Sequence, residues 1–152
     1  MPKVDLSQIP MRTGARYPKR FWQTNGDVTL RQSQAVAPGL TAFGANRTVL
    51  PPGAASSLRH YHTSDDELVI VLSGELVMLT NAGETAMRAG DIASFPKGVA
   101  DAHCFVNRSN EAAVLIAIGD NRDEDTCFYP DIGMRMARDG YVSSETGEPY
   151  SD

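Results

Sequence analysis

Two of the three histidines in this 152-residue chain, His60 and His62, are separated by one residue, and the acids Asp66 and Glu67 follow shortly after. Side chains alternate faces along a β-strand, so His60 and His62 would point the same way, with Cα atoms about 6.6 Å apart. Two imidazoles so placed can converge on one metal ion, whose bonds to nitrogen are about 2.0–2.1 Å long. The alternative is an exposed edge strand with two solvated histidines, and this stretch alone favours neither interpretation.

The elements that would position these residues are short β-strands. Strand-like runs separated by turns rich in Gly, Pro, Asn and Asp recur at roughly ten-residue intervals, which is typical of a sandwich or barrel. Residues 28–37 are ambiguous, and the sequence indicates no helix of normal length, no repeat and no second domain. We predict strands at residues 40–50, 57–62, 67–72, 75–80, 85–88, 92–95, 103–107 and 112–119.

The two ends of the chain do not follow this pattern. Residues 1–27 are rich in Pro, Gly and basic residues and include Trp22, which predicts an irregular arm whose aromatic side chains cover part of the core or a partner subunit. Residues 28–120 would form the barrel, and residues 121–152 a C-terminal extension packed on it through several aromatic side chains. The acidic patch at residues 120–125 is expected to be a solvated loop.

Composition restricts the class of protein. Hydrophobic residues are 41% and charged residues 22% of the chain, which is typical of a globular protein. A net charge of −5 offers no electrostatic footprint for nucleic acid or an anionic membrane, although a local basic pocket remains compatible with it. No segment resembles a secretory signal or a membrane span. Cys104 and Cys127 lack the spacing of a disulfide framework, which favours free thiols and a cytoplasmic location, with a single disulfide as the alternative.

Residues 53–107 contain two groups that resemble the paired motifs of the cupin superfamily. The first cupin motif contains Gly, His-x-His, Glu and Gly, and this chain has one additional residue after the opening Gly. The second contains Gly, Pro-x-Gly, His and Asn, and here four residues instead of two precede the histidine. The matching positions are Gly53, His60, His62, Glu67 and Gly74 for the first motif, and Gly90, Pro96, Gly98, His103 and Asn107 for the second.

The resemblance implies an all-β fold, a double-stranded β-helix of the jelly-roll type with irregular N- and C-terminal extensions. It also implies a divalent transition metal held by His60, His62, Glu67 and His103. Three imidazoles and one carboxylate suit Zn, Mn, Fe, Ni, Co or Cu, and open coordination positions could take substrate, water or dioxygen. Asp66 competes with Glu67, but it should face the opposite side if the strand has begun there. A metal-free cluster of hydrogen-bonded His and Glu side chains is the alternative.

Other residues near the motifs have less specific roles. Asn107 is expected to make structural hydrogen bonds near the site. Arg47 and Lys97 are the basic residues nearest the motifs in sequence, and each could meet an anionic substrate or simply lie at the surface. Five apolar residues are expected in the core or the pocket lining: Val69, Val71, Val77, Phe95 and Phe105.

Three functions are compatible with such a site, because cupins share a fold far more than a chemistry. The resemblance to single-domain cupins grouped with sugar-phosphate isomerases of the mannose-6-phosphate type favours a metal-dependent isomerase or epimerase. A metal-dependent dioxygenase and a non-catalytic small-molecule-binding module are the alternatives. The expected partners are a small-molecule substrate and a second copy of the chain, because cupin barrels often form homodimers. No nucleic-acid or membrane partner is expected.

Overall fold

The computed structural model describes residues 2–152, and its regular secondary structure is mostly β-strand. Four short 3₁₀ helices occur at Leu6–Gln8, Lys19–Phe21, Val28–Leu30 and Pro130–Ile132. No helix in this described part of the chain is long and apolar enough to cross a membrane. The strands are β1 (Arg12–Thr13), β2 (Gln32–Ala35), β3 (Gly44–Leu50), β4 (Tyr61–His62), β5 (Glu67–Ser73), β6 (Glu75–Thr80), β7 (Gly83–Arg88), β8 (Ile92–Phe95), β9 (Cys104–Val106), β10 (Ala113–Gly119), β11 (Cys127–Tyr129), β12 (Met134–Ala137) and β13 (Gly140–Ser143).

The strands form three antiparallel sheets. The largest has six strands in the order β1-β2-β3-β10-β5-β8, and a three-stranded sheet has the order β7-β6-β9. A four-stranded sheet, β13-β12-β11-β4, joins the C-terminal strands to the strand that carries His62. The predicted all-β jelly-roll class is therefore confirmed.

The main hydrophobic core lies between the six-stranded and three-stranded sheets. Alternation along β5 turns Val69 and Val71 inward, and both are almost completely buried. Leu115 on the neighbouring β10 and Phe105 on β9 pack in the same cluster. Burial of these side chains supplies the main driving force for closing the barrel, at about 1.5–3 kcal/mol for each large apolar side chain.

A second cluster lies under the two ends of the chain. Its buried members include Tyr129 and Met134, and the arm contributes Tyr17 and Trp22. The indole Nε1 of Trp22 donates to the carbonyl oxygen of Tyr17 at 2.8 Å. The arm therefore uses its aromatic side chains to cover the C-terminal strands.

Several predicted strands differ from the observed ones. The ambiguous segment contains β2, and the strand predicted from residue 57 is regular only at Tyr61–His62. Ser57 and Leu58 are buried instead of following the alternation of a surface strand. The C-terminal extension is more regular than expected, because it contains β11, β12 and β13. The domain boundaries at residues 28 and 120 stay a prediction.

Candidate metal centre

The chain brings its three histidines together through pairing of distant segments. His60 and His103 are direct antiparallel partners, with backbone hydrogen bonds of 3.1 Å from His60 N to His103 O and 2.9 Å from His103 N to His60 O. His62 follows on β4, two residues beyond His60 and on the same face. Glu67 begins β5 and lies opposite Phe95 of β8. Each side chain therefore comes from a different point on the barrel wall.

The carboxylate of Glu67 lies at the centre of the three imidazoles. Its Oε2 is 3.3 Å from His62 Nε2 and 3.9 Å from His60 Nε2, and its Oε1 is 3.2 Å from His103 Nε2. Each separation is below about 4.2 Å, twice a metal–nitrogen bond, so within each pair both atoms could bind the same ion. The four residues predicted from sequence are thus brought together at one place.

Outer hydrogen bonds orient two of the rings for metal binding. His60 Nδ1 lies 2.8 Å from the Leu58 carbonyl oxygen, which can only accept, so Nδ1 carries the proton. His62 Nδ1 lies 2.6 Å from Asp125 Oδ2, a carboxylate oxygen that accepts, so this Nδ1 also carries the proton. In the neutral rings both Nε2 atoms therefore direct a lone pair at Glu67. Lone pairs that face a carboxylate repel it unless a proton or a metal cation lies between, so the residues present fit a divalent metal.

Asp125 was not found by sequence analysis, and it corrects the expectation that the whole acidic patch is a solvated loop. Residues 121–124 are exposed, but the Asp125 side chain is only 10% exposed. Its Oδ1 accepts hydrogen bonds from Ser64 N at 2.8 Å and Asp65 N at 3.2 Å, while Oδ2 holds His62. This one carboxylate fixes both the ring of His62 and the turn that leads to Glu67.

The electrostatics of the cluster follow from burial and mutual contact. Burial favours the neutral form of His62, but hydrogen bonds to Glu67 and Asp125 outweigh it and raise the pKa of His62 to about 9. Burial also opposes ionisation of Glu67, yet its contacts with the three histidines hold the pKa of the carboxyl well below 4.5. Burial lowers the pKa of His103, whose ring stacks on Phe95 with centroids 3.4 Å apart. Glu67 is therefore ionised, and His103 is held in the neutral form that binds metals.

Two other groups of ligand-type side chains share His62. One contains His60 and Cys127, and the other contains Asp65 and Asp125. Burial raises the pKa of the Cys127 thiol to about 12, so in the metal-free protein this side chain is a neutral thiol. Asp125 already accepts three hydrogen bonds. The group formed by His60, Glu67 and His103, with His62 beside it, is the better metal site.

The remaining residues singled out from the sequence lie outside the cluster. Asp66 is exposed, and its Oδ1 accepts from the backbone N–H of Lys97 at 2.8 Å, so it does not meet the histidines. Asn107 is fully buried, and its Nδ2 donates to the Leu50 and Glu111 carbonyl oxygens at 2.7 Å each. Arg47 is half-buried 3.4 Å from the Gln34 amide oxygen.

A cavity of about 490 Å³ opens beside the cluster and is lined by His60, Glu67 and His103. Val69 and Phe105 contribute apolar walls. The N-terminal arm and the residue just before β2 add basic and aromatic side chains that sequence analysis did not assign to the site, since no motif or periodicity marks them. These residues are Arg12, Arg16, Tyr17 and Arg31.

Comparisons with known proteins agree with this geometry. Residues 46–119 match the Cupin domain family. A crystal structure from Silicibacter pomeroyi DSS-3, described as a sugar phosphate isomerase from a cupin superfamily, is 37% identical and covers 99% of this chain and 98% of its own, with a TM-score of 0.87. A protein from Acidithiobacillus ferrooxidans, provisionally assigned as a sugar phosphate isomerase, is 26% identical over 81% of this chain and 82% of its own, with a TM-score of 0.72.

More distant structures share the fold alone. A Thermotoga maritima protein described as a predicted oxalate decarboxylase is 22% identical, covers 78% of this chain and 97% of its own, and has a TM-score of 0.62. No curated protein matches the sequence. The motifs, the jelly-roll sheets and the similarity over nearly the whole length agree, and the chain belongs to the cupin superfamily.

Proposed function

We propose that this cupin is a metal-dependent isomerase or epimerase acting on a small polar substrate of the sugar-phosphate class. The observation that carries the proposal is the similarity to the Silicibacter pomeroyi protein, which extends over 99% of the chain at 37% identity. The His/Glu cluster beside an open cavity supports it, because such a site offers both a metal and room for a small substrate.

His60, His62, Glu67 and His103 would hold the metal, which supplies Lewis-acid polarisation of a substrate carbonyl or hydroxyl oxygen when bound. Glu67 is the only carboxylate among the residues that line the cavity, and it is ionised at neutral pH. As a proposed metal ligand whose pKa is held low, Glu67 would serve the metal rather than act as the general base. No lysine lines this cavity, which leaves Schiff-base chemistry without a nucleophile there.

A turnover screen in deuterated water tests the proposal. Metal-loaded protein is incubated with a panel of aldose and ketose phosphates, and NMR follows both isomerisation and deuterium incorporation beside the carbonyl. We expect both signals, and we expect them to disappear when a chelator removes the metal. No isomerisation or epimerisation across the panel would refute the proposal. Metal-dependent oxygen consumption would instead point to the dioxygenase alternative.

We also propose that the protein is a homodimer. The outer face of the six-stranded sheet supports this, because it is apolar. Leu68 and Ile70 on β5 and Ile116 on β10 alternate with core residues, so their side chains point to this outer face. Ile92 at the edge strand is 61% exposed. An apolar outer face is typical of a contact surface. A monomer at micromolar concentration in light scattering would contradict the proposal.

A cytoplasmic location is likewise proposed from sequence features alone.

A further inference from the structure

The cavity beside the candidate metal centre has an excess of positive charge. Arg12, Arg16 and Arg31 line it, whereas Glu67 is the only acidic residue in its lining. This contrasts with the whole chain, whose net charge is −5. Since Glu67 is already surrounded by histidines, the arginine charges are not balanced by an acid within the cavity.

Arg31 is held in place without a carboxylate partner. Its Nε donates to the Gly14 carbonyl oxygen at 3.1 Å and its Nη1 to the Ser56 carbonyl oxygen at 2.6 Å. The backbone N–H of Gly14 in turn donates to the Arg31 carbonyl oxygen at 2.9 Å, which ties the arm to the start of β2. No acidic group of residues 2–152 lies within 4.0 Å of the guanidinium. A guanidinium has five N–H donors, so several stay available for a ligand.

The surroundings of Arg31 suit a ligand that brings its own negative charge. Arg31 is half-buried, and an incompletely solvated charge without an opposite charge is costly. Tyr17 and Tyr141 line the same cavity. Burial raises the pKa of each phenol, and the nearby Arg31 charge opposes that rise, so both hydroxyls stay protonated at neutral pH. Arg12 and Arg16 are exposed beside them and make no side-chain hydrogen bond to residues 2–152.

We propose that Arg31, assisted by Arg12 and Arg16, binds the anionic group of the substrate, a phosphate monoester, in the part of the cavity formed by the N-terminal arm. The rest of the substrate then extends toward the His/Glu cluster. The planar fork of an arginine matches phosphate oxygens in a bidentate manner, which gives the site selectivity for phosphate over a neutral sugar. This inference takes the class of substrate from the proposed function. The position of the phosphate in the cavity is inferred from the arginines alone.

Isothermal titration of the metal-loaded protein with inorganic phosphate, a hexose 6-phosphate and the same hexose without phosphate tests the site. Arg31→Gln is expected to weaken binding of both phosphate compounds about 10–100-fold, the effect of losing charge-assisted hydrogen bonds. The neutral hexose should bind equally to the parent protein and the variant. Arg47→Gln is the matched control, since Arg47 is also half-buried but lies on β3 and does not line the cavity.

Arg31→Gln could also unfold the protein, because Arg31 joins the N-terminal arm to Ser56 through two hydrogen bonds. A second variant therefore tests the site without removing these contacts. The double variant Arg12→Gln/Arg16→Gln removes two exposed charges that make no side-chain hydrogen bond, and we expect it to weaken phosphate binding several-fold without lowering the melting temperature. Equal phosphate affinity in the parent, Arg31→Gln and double variants would overturn the inference, because the anion would then bind at the metal or elsewhere.

The two proposals fail in different ways. Arginine-dependent phosphate binding without any isomerisation refutes the proposed function and leaves the anion site in place. Isomerisation of a sugar phosphate with an unchanged KM in the Arg31→Gln protein refutes the anion site and leaves the proposed function in place.

Discussion

Replacement of Asp125 by asparagine should weaken metal binding while leaving all proposed metal ligands in place. Asp125 Oδ2 is 2.6 Å from His62 Nδ1, and Oδ1 accepts from Ser64 N and Asp65 N. Asparagine keeps the shape but has only one oxygen. If that oxygen keeps the two backbone N–H groups, the amide NH₂ faces His62 Nδ1 and favours the tautomer with the proton on Nε2. If the amide flips, the turn before Glu67 loses its hydrogen bonds.

The first outcome disturbs His62 and the second disturbs Glu67, and both are proposed metal ligands. Loss of such an outer partner costs about 10–100-fold in metal affinity, or about 1.4–2.7 kcal/mol. The upper part of that range is expected, because the Asp125 side chain is only 10% exposed and its bond to His62 is short.

Competition with a chromophoric chelator measures the affinity. Asp123→Asn is the matched control, because it removes the same charge from the same acidic segment at a side chain that is 89% exposed and 3.6 Å from Arg138. Circular dichroism establishes that both variants are folded. Equal metal affinity in the Asp125→Asn and Asp123→Asn proteins would refute the argument that Asp125 orients His62.

Four further outcomes are expected. Metal affinity should rise with pH by up to about tenfold per pH unit, because metal binding displaces one proton from His62. The rise should level off near pH 9, where the raised pKa of His62 lies. Chelator competition at several pH values checks this. The metal-free fold should show the opposite sign, since the His62 contribution is fully present below pH 6.5 and is lost as the pH rises through about 9. Gly74→Ala should destabilise the fold in urea by about 1–3 kcal/mol or more, because φ is +77° and a Cβ would lie 2.8 Å from the Ala113 Cα. Leu115→Ala should cost about 2–5 kcal/mol in the same assay, against about 0.5 kcal/mol or less for Leu72→Ala, since these residues are 2% and 47% exposed.

Strands bounded by strong turn signals could be predicted from the sequence. β6 and β8 have the predicted bounds, because Gly74 lies before β6, Asn81 follows it, and Pro96 follows β8. Local rules were sufficient for these two strands. Glu67, which the sequence favoured over Asp66, faces the histidines, whereas Asp66 lies just before β5 and accepts from the backbone N–H of Lys97. The role of Glu67 as a metal ligand stays a prediction.

Other parts of the site depend on long-range contacts that local rules do not contain. Asp125 reaches His62 only because β11 pairs with β4 across more than sixty residues. In the sequence it resembles its exposed acidic neighbours. Arg31 and the arm arginines reach the cavity through the folding of an aperiodic segment against the barrel, so their charges could not be placed beside the histidines in advance.

The most direct test of the account is elemental analysis of the purified protein beside the His60→Ala/His62→Ala double variant. We expect a stoichiometric transition metal in the parent protein and almost none in the variant, with folding of both established by circular dichroism. Anomalous diffraction at the absorption edge of that metal should place it between Glu67 and the three histidines. A folded double variant that retains stoichiometric metal would contradict the assignment of this site.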